Sequence, residues 1–287
     1  MLPIVSYGME DCLERVDRMG VFPAAALQIL ELTQREDARL DELEDAVALD
    51  AVLAARVLRV ANSPMYGVRL RVGSLRRALQ VLGFNGTRDV AIALALASVG
   101  GERSGWGEQL WLHNEATAWC CRTLARQARG LDADTLFVAG LLHDVGLQLL
   151  LAVERDATLS LLDKFGERPE LLLRAEQVHY GFDHAKLGGE CMRRWKLPDA
   201  VAELVERHHV PVGDANGSQA DPRSHAVLAV SDHLADPLVA GADVATLQQL
   251  LSAHPAASFL RISRGGVITA LELLVEGYAA EEAAAAG

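Results

Sequence analysis

His143 and Asp144 stand side by side in Phe137-Val-Ala-Gly-Leu-Leu-His-Asp-Val-Gly-Leu, an almost wholly apolar run that continues past Gln148 to Val153. An imidazole and a carboxylate together can bind a transition metal. An unpaired carboxylate among apolar residues would cost several kcal/mol or would take up a proton. Asp144 therefore needs a partner. Read as one helix, the run points the two side chains about 100° apart, so they can hold one ion or reach two neighbouring ones. The plainer alternative is a buried His and Asp satisfied by other helices.

More side chains of the same chemistry follow. All but one of the nine histidines fall between residues 113 and 233. His113 sits in Leu110-Trp-Leu-His-Asn, His184 follows Asp183, His208 and His209 are adjacent, and Asp232 lies in Val227-Leu-Ala-Val-Ser-Asp-His-Leu. A single His on an apolar face is more often a satisfied core residue than a ligand. Here each falls on a different expected helix or helix end, which suits ligands converging in the core of a bundle. Five imidazoles and two carboxylates exceed the needs of one ion and fit two ions sharing a carboxylate or a water. Iron, zinc, manganese and nickel all accept such donors. His179, His225, His233 and His254 lack this support and read as structural or surface residues, with His225 and His254 expected to be exposed.

The elements that must position these groups read as helices. Apolar residues make up 51% of the 287-residue chain but aromatics only 5%, so the interior is expected to be Leu, Ala and Val in an all-α protein. The spacing predicts helices over residues 10–18, from Pro23 onward, over an acidic segment from Asp41, over 51–61 capped by Asp50, and over 74–82 ending at Gly83. Asn85-Gly86 reads as a turn before an apolar helix through Val99. Gly100-Gly101-Glu-Arg-Ser-Gly105-Trp-Gly107 is the clearest interruption and sets the expected boundary between residues 1–103, an N-terminal helical subdomain, and residues 104–287, which carry the candidate metal site. Further helices are expected over 108–129, through 137–153 after the capping Asp132, over 159–165, 170–179, 186–195 and 199–208, then 224–235, 243–252 and 266–280. Residues 212–223 form a polar loop.

A net charge of −12 argues against a nonspecific nucleic-acid or anionic-membrane binder. Cys12, Cys120, Cys121 and Cys191 have no paired spacing and read as reduced thiols of a cytoplasmic protein. No signal peptide is visible, and the apolar run from Val90 to Val99, broken only by Ser98, is half of what a bilayer needs, so no membrane is expected.

The order His113, His143-Asp144, Asp232 is similar to the H…HD…D pattern of the HD superfamily of metal-dependent phosphohydrolases. Several segments resemble the HDOD family more specifically: Phe22-Pro23-Ala, the helix from Asp50 to Asn62-Ser63, Tyr66-Gly67, and Ala78-Leu-Gln-Val-Leu-Gly83-Phe. So do Ala139-Gly-Leu-Leu-His-Asp-Val-Gly146, Glu176 with Asp183-His184-Ala-Lys-Leu-Gly188, Trp195-Lys-Leu-Pro198 and His208-His209. The likeness spans roughly residues 18–235. It implies an all-helical fold with an HD-type bundle core and an N-terminal helical subdomain, found in bacterial signalling proteins. The HD-GYP phosphodiesterases of cyclic di-GMP are similar too. By that resemblance their binuclear ligands fall on His113, His143, Asp144, His184, His208, His209 and Asp232, all present. Three features depart from that pattern: Leu147 replaces a lysine, Val210-Pro211 replaces the Gly-Tyr-Pro segment, and Gln109 replaces an acid that could hold a third metal.

Two functions are therefore weighed. The first is a regulatory HDOD module acting through contacts with signalling proteins in trans, its divalent transition metal structural or sensory. The second is a metal-dependent phosphohydrolase acting on a nucleotide or cyclic dinucleotide. In that case two ions would lower the pKa of an attacking water, Asp144 would bridge them, and Lys186, Arg193 or Arg207 would contact phosphate. Leu147 and the altered loop favour regulation, since likeness of fold does not establish chemistry. A nucleotide ligand and a homo-oligomer are compatible with either. A nucleic-acid surface around Arg69, Arg71, Arg76, Arg77 and Arg88 is disfavoured by the acidic balance, and Asn62-Ser63-Pro64-Met65-Tyr66-Gly67 reads as a helix stop and, by resemblance, an interaction surface.

Overall fold

The computed structural model describes residues 8–18, 24–33, 35, 37–62, 66, 72–96, 105–214 and 220–285. The described residues are helical and contain no strand, as the composition requires. The N-terminal half holds α1 (Met9–Arg18), α2 (Ala24–Thr33), α3 (Leu40–Ala48), α4 (Ala51–Asn62) and α5 (Leu75–Leu96). The rest comprises α6 (Trp106–Gln127), α7 (Ala133–Leu142), α8 (Val145–Val153), α9 (Arg155–Phe165), α10 (Pro169–Tyr180), α11 (His184–Arg194), α12 (Asp199–Arg207), α13 (Pro222–Val239), α14 (Val244–Ala253), a 3-10 turn (Pro255–Phe259) and α15 (Arg264–Ala285).

Local chemistry sets most of the starts. Asp50 accepts from the backbone of Val52 and Leu53 at the head of α4. Asp132, Asp183 and Asp243 do the same for α7, α11 and α14. Each satisfies a backbone N–H that has no partner within its helix. Gly181, in the left-handed region at φ 84°, ends α10. Asn62 ends α4 by bonding back to Leu58 O and exchanging two hydrogen bonds with the backbone of Val72. Ser63 to Met65 and Gly67 of the expected turn, and the expected boundary at 103/104, lie outside the described residues.

Three expectations change. Gly83 takes φ 73° and ψ 172° and kinks α5 there, so the chain resumes its helix at once and Gly86 is helical rather than part of a turn. The run through His143 is two helices, α7 and α8, parted at His143 and Asp144. His225 is buried at 6% exposure, because α13 begins at Pro222 and carries it into the packed interior.

α6 packs along α7 and α13, and α11 along α12 and α8, enclosing one apolar core. Gly146 permits the last of these contacts. A Cβ on it would lie 1.9 Å from the carbonyl oxygen of His184. The N-terminal half meets α6 through Arg59, 2.8 Å from Glu115, and through Arg56, stacked 4.2 Å over Trp111. Arg122 joins Asp134 at 2.7 Å and Tyr66 by both its ring and its hydroxyl. Residues 133–153 are long and apolar enough to cross a membrane by composition alone, yet 94% of that window is buried inside the fold, with His143 and Asp144 in its middle.

Candidate metal centre

His143 and His208 are placed by the same device. Each directly follows a helix, α7 or α12, and its ring turns back so that Nδ1–H donates to the carbonyl three residues earlier, Gly140 or Val205, at 2.7 Å. A carbonyl only accepts, so Nδ1 carries the hydrogen and Nε2 is left to bind. His184, the first residue of α11, gives Nδ1–H to Glu176 at 2.8 Å, and Glu176 also accepts the His184 backbone N–H at 2.9 Å. His113 on α6 gives Nδ1–H to Asp236 at 2.8 Å. Four imidazoles are thus held from behind with Nε2 presented inward, as metal-ligating histidines are oriented by their outer partners.

The inward atoms converge on Asp144. One oxygen lies 3.3 Å from His184 Nε2 and 3.5 Å from His208 Nε2, and the other lies 3.5 Å from His143 Nε2. His113 Nε2 is 3.1 Å from Asp232 and 3.2 Å from His143 Nε2, and His184 Nε2 is 3.0 Å from His209 Nε2. Two donor groups result: Asp144 with His184, His208 and His209, and Asp144 with His113 and His143. Asp232 adjoins the second. The structure therefore brings all seven expected residues together, with Asp144 common to both groups.

The donor set fits divalent cations. His208 Nε2 is buried without a hydrogen-bond partner, and its lone pair faces a carboxylate oxygen. Two acceptors aimed at each other in a dry interior need positive charge between them. Protons supply some of it. Burial opposes charge on His113, but Asp232 and Asp236 outweigh it and raise its pKa to about 11. His184 is likewise raised, burial being overcome by Glu176 and Asp144. Burial lowers His143, and burial lowers His209 to about 2. Each close Nε2 pair thus contains one ring that holds a proton and one that does not. Burial would raise the Asp144 carboxyl, but His143 and His184 hold it well below the usual carboxylate range.

A cleft of about 710 Å³ opens onto these donors. α6 lines it with Trp106, Gln109, Leu110 and His113, and α13 with Ala229, Asp232, His233 and Asp236. Both sets follow the i, i+3, i+4, i+7 stripe of one helix face. Among the described residues its lining contains Asp144, Glu167, Asp232 and Asp236 but neither Lys nor Arg. Leu147 is part of the wall. Lys186 is exposed outside it, Arg193 pairs with Glu190 and Glu206, and Arg207 lines a separate cavity of about 140 Å³. Arg76 pairs with Glu44, while Arg69 and Arg71 lie outside the described residues. Sequence reasoning missed Asp236, one turn beyond Asp232, and assigned no role to Glu176. It read His233 and His254 as structural or surface residues and expected His254 to be exposed; His233 is exposed, His254 is half-buried, and both line the cleft.

An all-helical fold enclosing a shared-carboxylate histidine centre at a His-Asp dipeptide defines a protein of the HD class. Within that class the chain belongs to the HDOD domain family, whose model matches residues 19–211. An HDOD domain protein of unknown function from Geobacter sulfurreducens is 25% identical, with a TM-score of 0.65 over 94% of this chain and 97% of that one. A protein of Shewanella amazonensis SB2B, provisionally named a phosphohydrolase, is 22% identical, with a TM-score of 0.70 over 94% and 99%. An uncharacterized protein of Treponema pallidum (strain Nichols) is 23% identical over 201 residues, which are 68% of this chain. The match spans only 38% of the length of that curated relative.

Proposed function

We propose that this chain is a regulatory HDOD module of bacterial signal transduction. Its HD centre holds two divalent transition-metal ions, and its output passes through contacts with signalling proteins in trans. The observation that carries the metal assignment is the unpartnered, buried Nε2 of His208 facing Asp144, with five further donors around them. His113, His143 and Asp232 would hold one ion, His184, His208 and His209 the other, and Asp144 both. Bound ions supply Lewis acidity and fixed positive charge.

Regulation is favoured over hydrolysis by the cleft wall. Among the described residues its lining contributes no Lys or Arg to meet a phosphate, and Leu147 presents hydrocarbon there. The four cysteines are buried free thiols, which supports a reducing, cytoplasmic setting. The second reading, a metal-dependent phosphohydrolase acting on a nucleotide or a cyclic dinucleotide, is supported by the cleft opening directly onto both donor groups. In that reading Asp144, Asp232 and the histidines position the ions, while the apolar wall excludes water from one side.

Elemental analysis combined with a turnover panel tests the choice. Metal-replete protein is expected to leave cyclic di-GMP, nucleotides and bis-p-nitrophenyl phosphate unchanged. Turnover that disappears in His143→Ala would establish the hydrolase instead.

A further inference from the structure

Pro211 ends the family match, and most of the lining of the smaller cavity lies beyond it. This cavity measures about 140 Å³ and sits between the end of α12 and the start of α13, apart from the metal cleft. Val210-Pro211, the pair that replaces the Gly-Tyr-Pro segment of the HD-GYP pattern, forms its wall with Val212, Ala220 and Pro222. That wall is largely hydrocarbon.

Two ionisable side chains interrupt it, Arg207 from the last turn of α12 and His225 from the first turn of α13. The Nε of Arg207 is buried and has no hydrogen-bond partner. Arg193 and Arg223, by contrast, pair with Glu206 and Asp221. Among the described residues the cavity lining holds no Asp or Glu that could do the same for Arg207. His225 does not balance the charge either. Burial lowers its pKa and the Arg207 cation adds to that against Glu203, so the ring is neutral at neutral pH. A guanidinium N–H held out of water without an acceptor costs free energy that a bound anion would recover.

Size and shape narrow the ligand. About 140 Å³ is close to an engineered cavity that holds benzene and well below a nucleotide-sized site. A planar carboxylate can accept two parallel hydrogen bonds, from Nε and one Nη of an arginine.

We propose that this cavity binds a small carboxylate with a short branched or cyclic hydrocarbon body, its carboxylate on Arg207 and its body against Val210, Val212, Ala220 and Pro222. The site stands on its own geometry, and its role as an effector site rests on the regulatory reading above. Arg207 directly precedes His208-His209, so the ligand acts on the segment that supplies two of the metal donors.

The probe is isovalerate, titrated by ligand-detected NMR against the full chain. Isovaleramide is the uncharged arm, acetate the arm without the hydrocarbon body, and inorganic phosphate the arm for a general anion site. Isovalerate is expected to bind with a Kd of about 1 mM, and each of the other three about tenfold more weakly. Arg207→Gln should cost isovalerate about tenfold. Val212→Phe, at a half-buried position of the wall, should block the cavity while keeping Arg207, and thermal unfolding checks that each variant is folded. No binding of isovalerate to wild type, equal binding of its amide or of phosphate, or wild-type affinity in either folded variant overturns the assignment. Turnover in the panel above with these affinities intact overturns the regulatory reading alone.

Discussion

The Nε2 atoms of His184 and His209 lie 3.0 Å apart, with His184 Nδ1 already committed to Glu176. Two lone pairs would repel at that distance, and the opposite pKa directions of the two rings put one proton between them. His113 and His143 repeat the arrangement at 3.2 Å. A metal ion entering either group must displace that proton.

Metal affinity should therefore fall with acid. His113, with its pKa at about 11, and His184, raised well above its ordinary value, are both protonated in the metal-free protein at neutral pH. Lower pH strengthens the competing proton and higher pH weakens it, so affinity rises from pH 6 to pH 8 by about tenfold per pH unit for each proton displaced. Calorimetry in buffers of different ionisation enthalpy should report proton release on metal uptake. Affinity that stays flat across this range would sink the shared-proton arrangement.

Asp144→Ala should empty both donor groups, because each includes that carboxylate. Elemental analysis should give about two ions per wild-type chain and close to none in the variant. Equal metal content in the two proteins would show that Asp144 is not a ligand.

Glu176→Ala should weaken the His184 group by about 10- to 100-fold, the usual effect of removing an outer partner of a ligating histidine. Glu176 is 1% exposed and holds both nitrogens that fix His184. Glu176→Gln retains an acceptor and should lose less. A competition titration with a chromogenic chelator separates the two variants.

Gly146→Ala should destabilise the fold by about 3 kcal/mol, the upper range for overpacking, because its Cβ would lie 1.9 Å from the His184 carbonyl oxygen and 2.7 Å from its carbonyl carbon. Backbone, unlike a flexible side-chain tip, has no cheap way to yield. Thermal unfolding should show a loss of roughly 10 °C, and an unchanged midpoint would mean that α8 does not dock on α11 this closely.

The helices were legible wherever a residue acts locally. Asp50, Asp132 and Asp183 cap where a short acceptor before an apolar run says they should, and Gly181 ends a helix with its own φ. Residue type and placement pointed to seven His and Asp side chains, and the structure gathers these around Asp144. Legibility failed where distant packing decides. Nothing local interrupts Leu142-His143-Asp144-Val145, and the break there follows from turning His143 back onto Gly140. Asn85-Gly86 has turn chemistry, but Gly83 had already taken the bend. His225 follows a polar loop, yet it is buried by helices the local sequence does not reveal. The cleft stripes of α6 and α13 were legible in principle, since Trp106, Gln109, Leu110 and His113 have helical spacing.

The donors come from α6, the α7–α8 break, α11, α12 and α13, so an ion at the centre fastens the chain to itself from residue 113 to residue 232. A cross-link over so long a loop restricts the denatured chain, in the manner of a disulfide. Metal would then govern how long a copy of this protein lasts in a cell as well as what it binds. Loaded chains would resist proteases, and stripped chains would be cleared, making abundance itself a reading of metal supply.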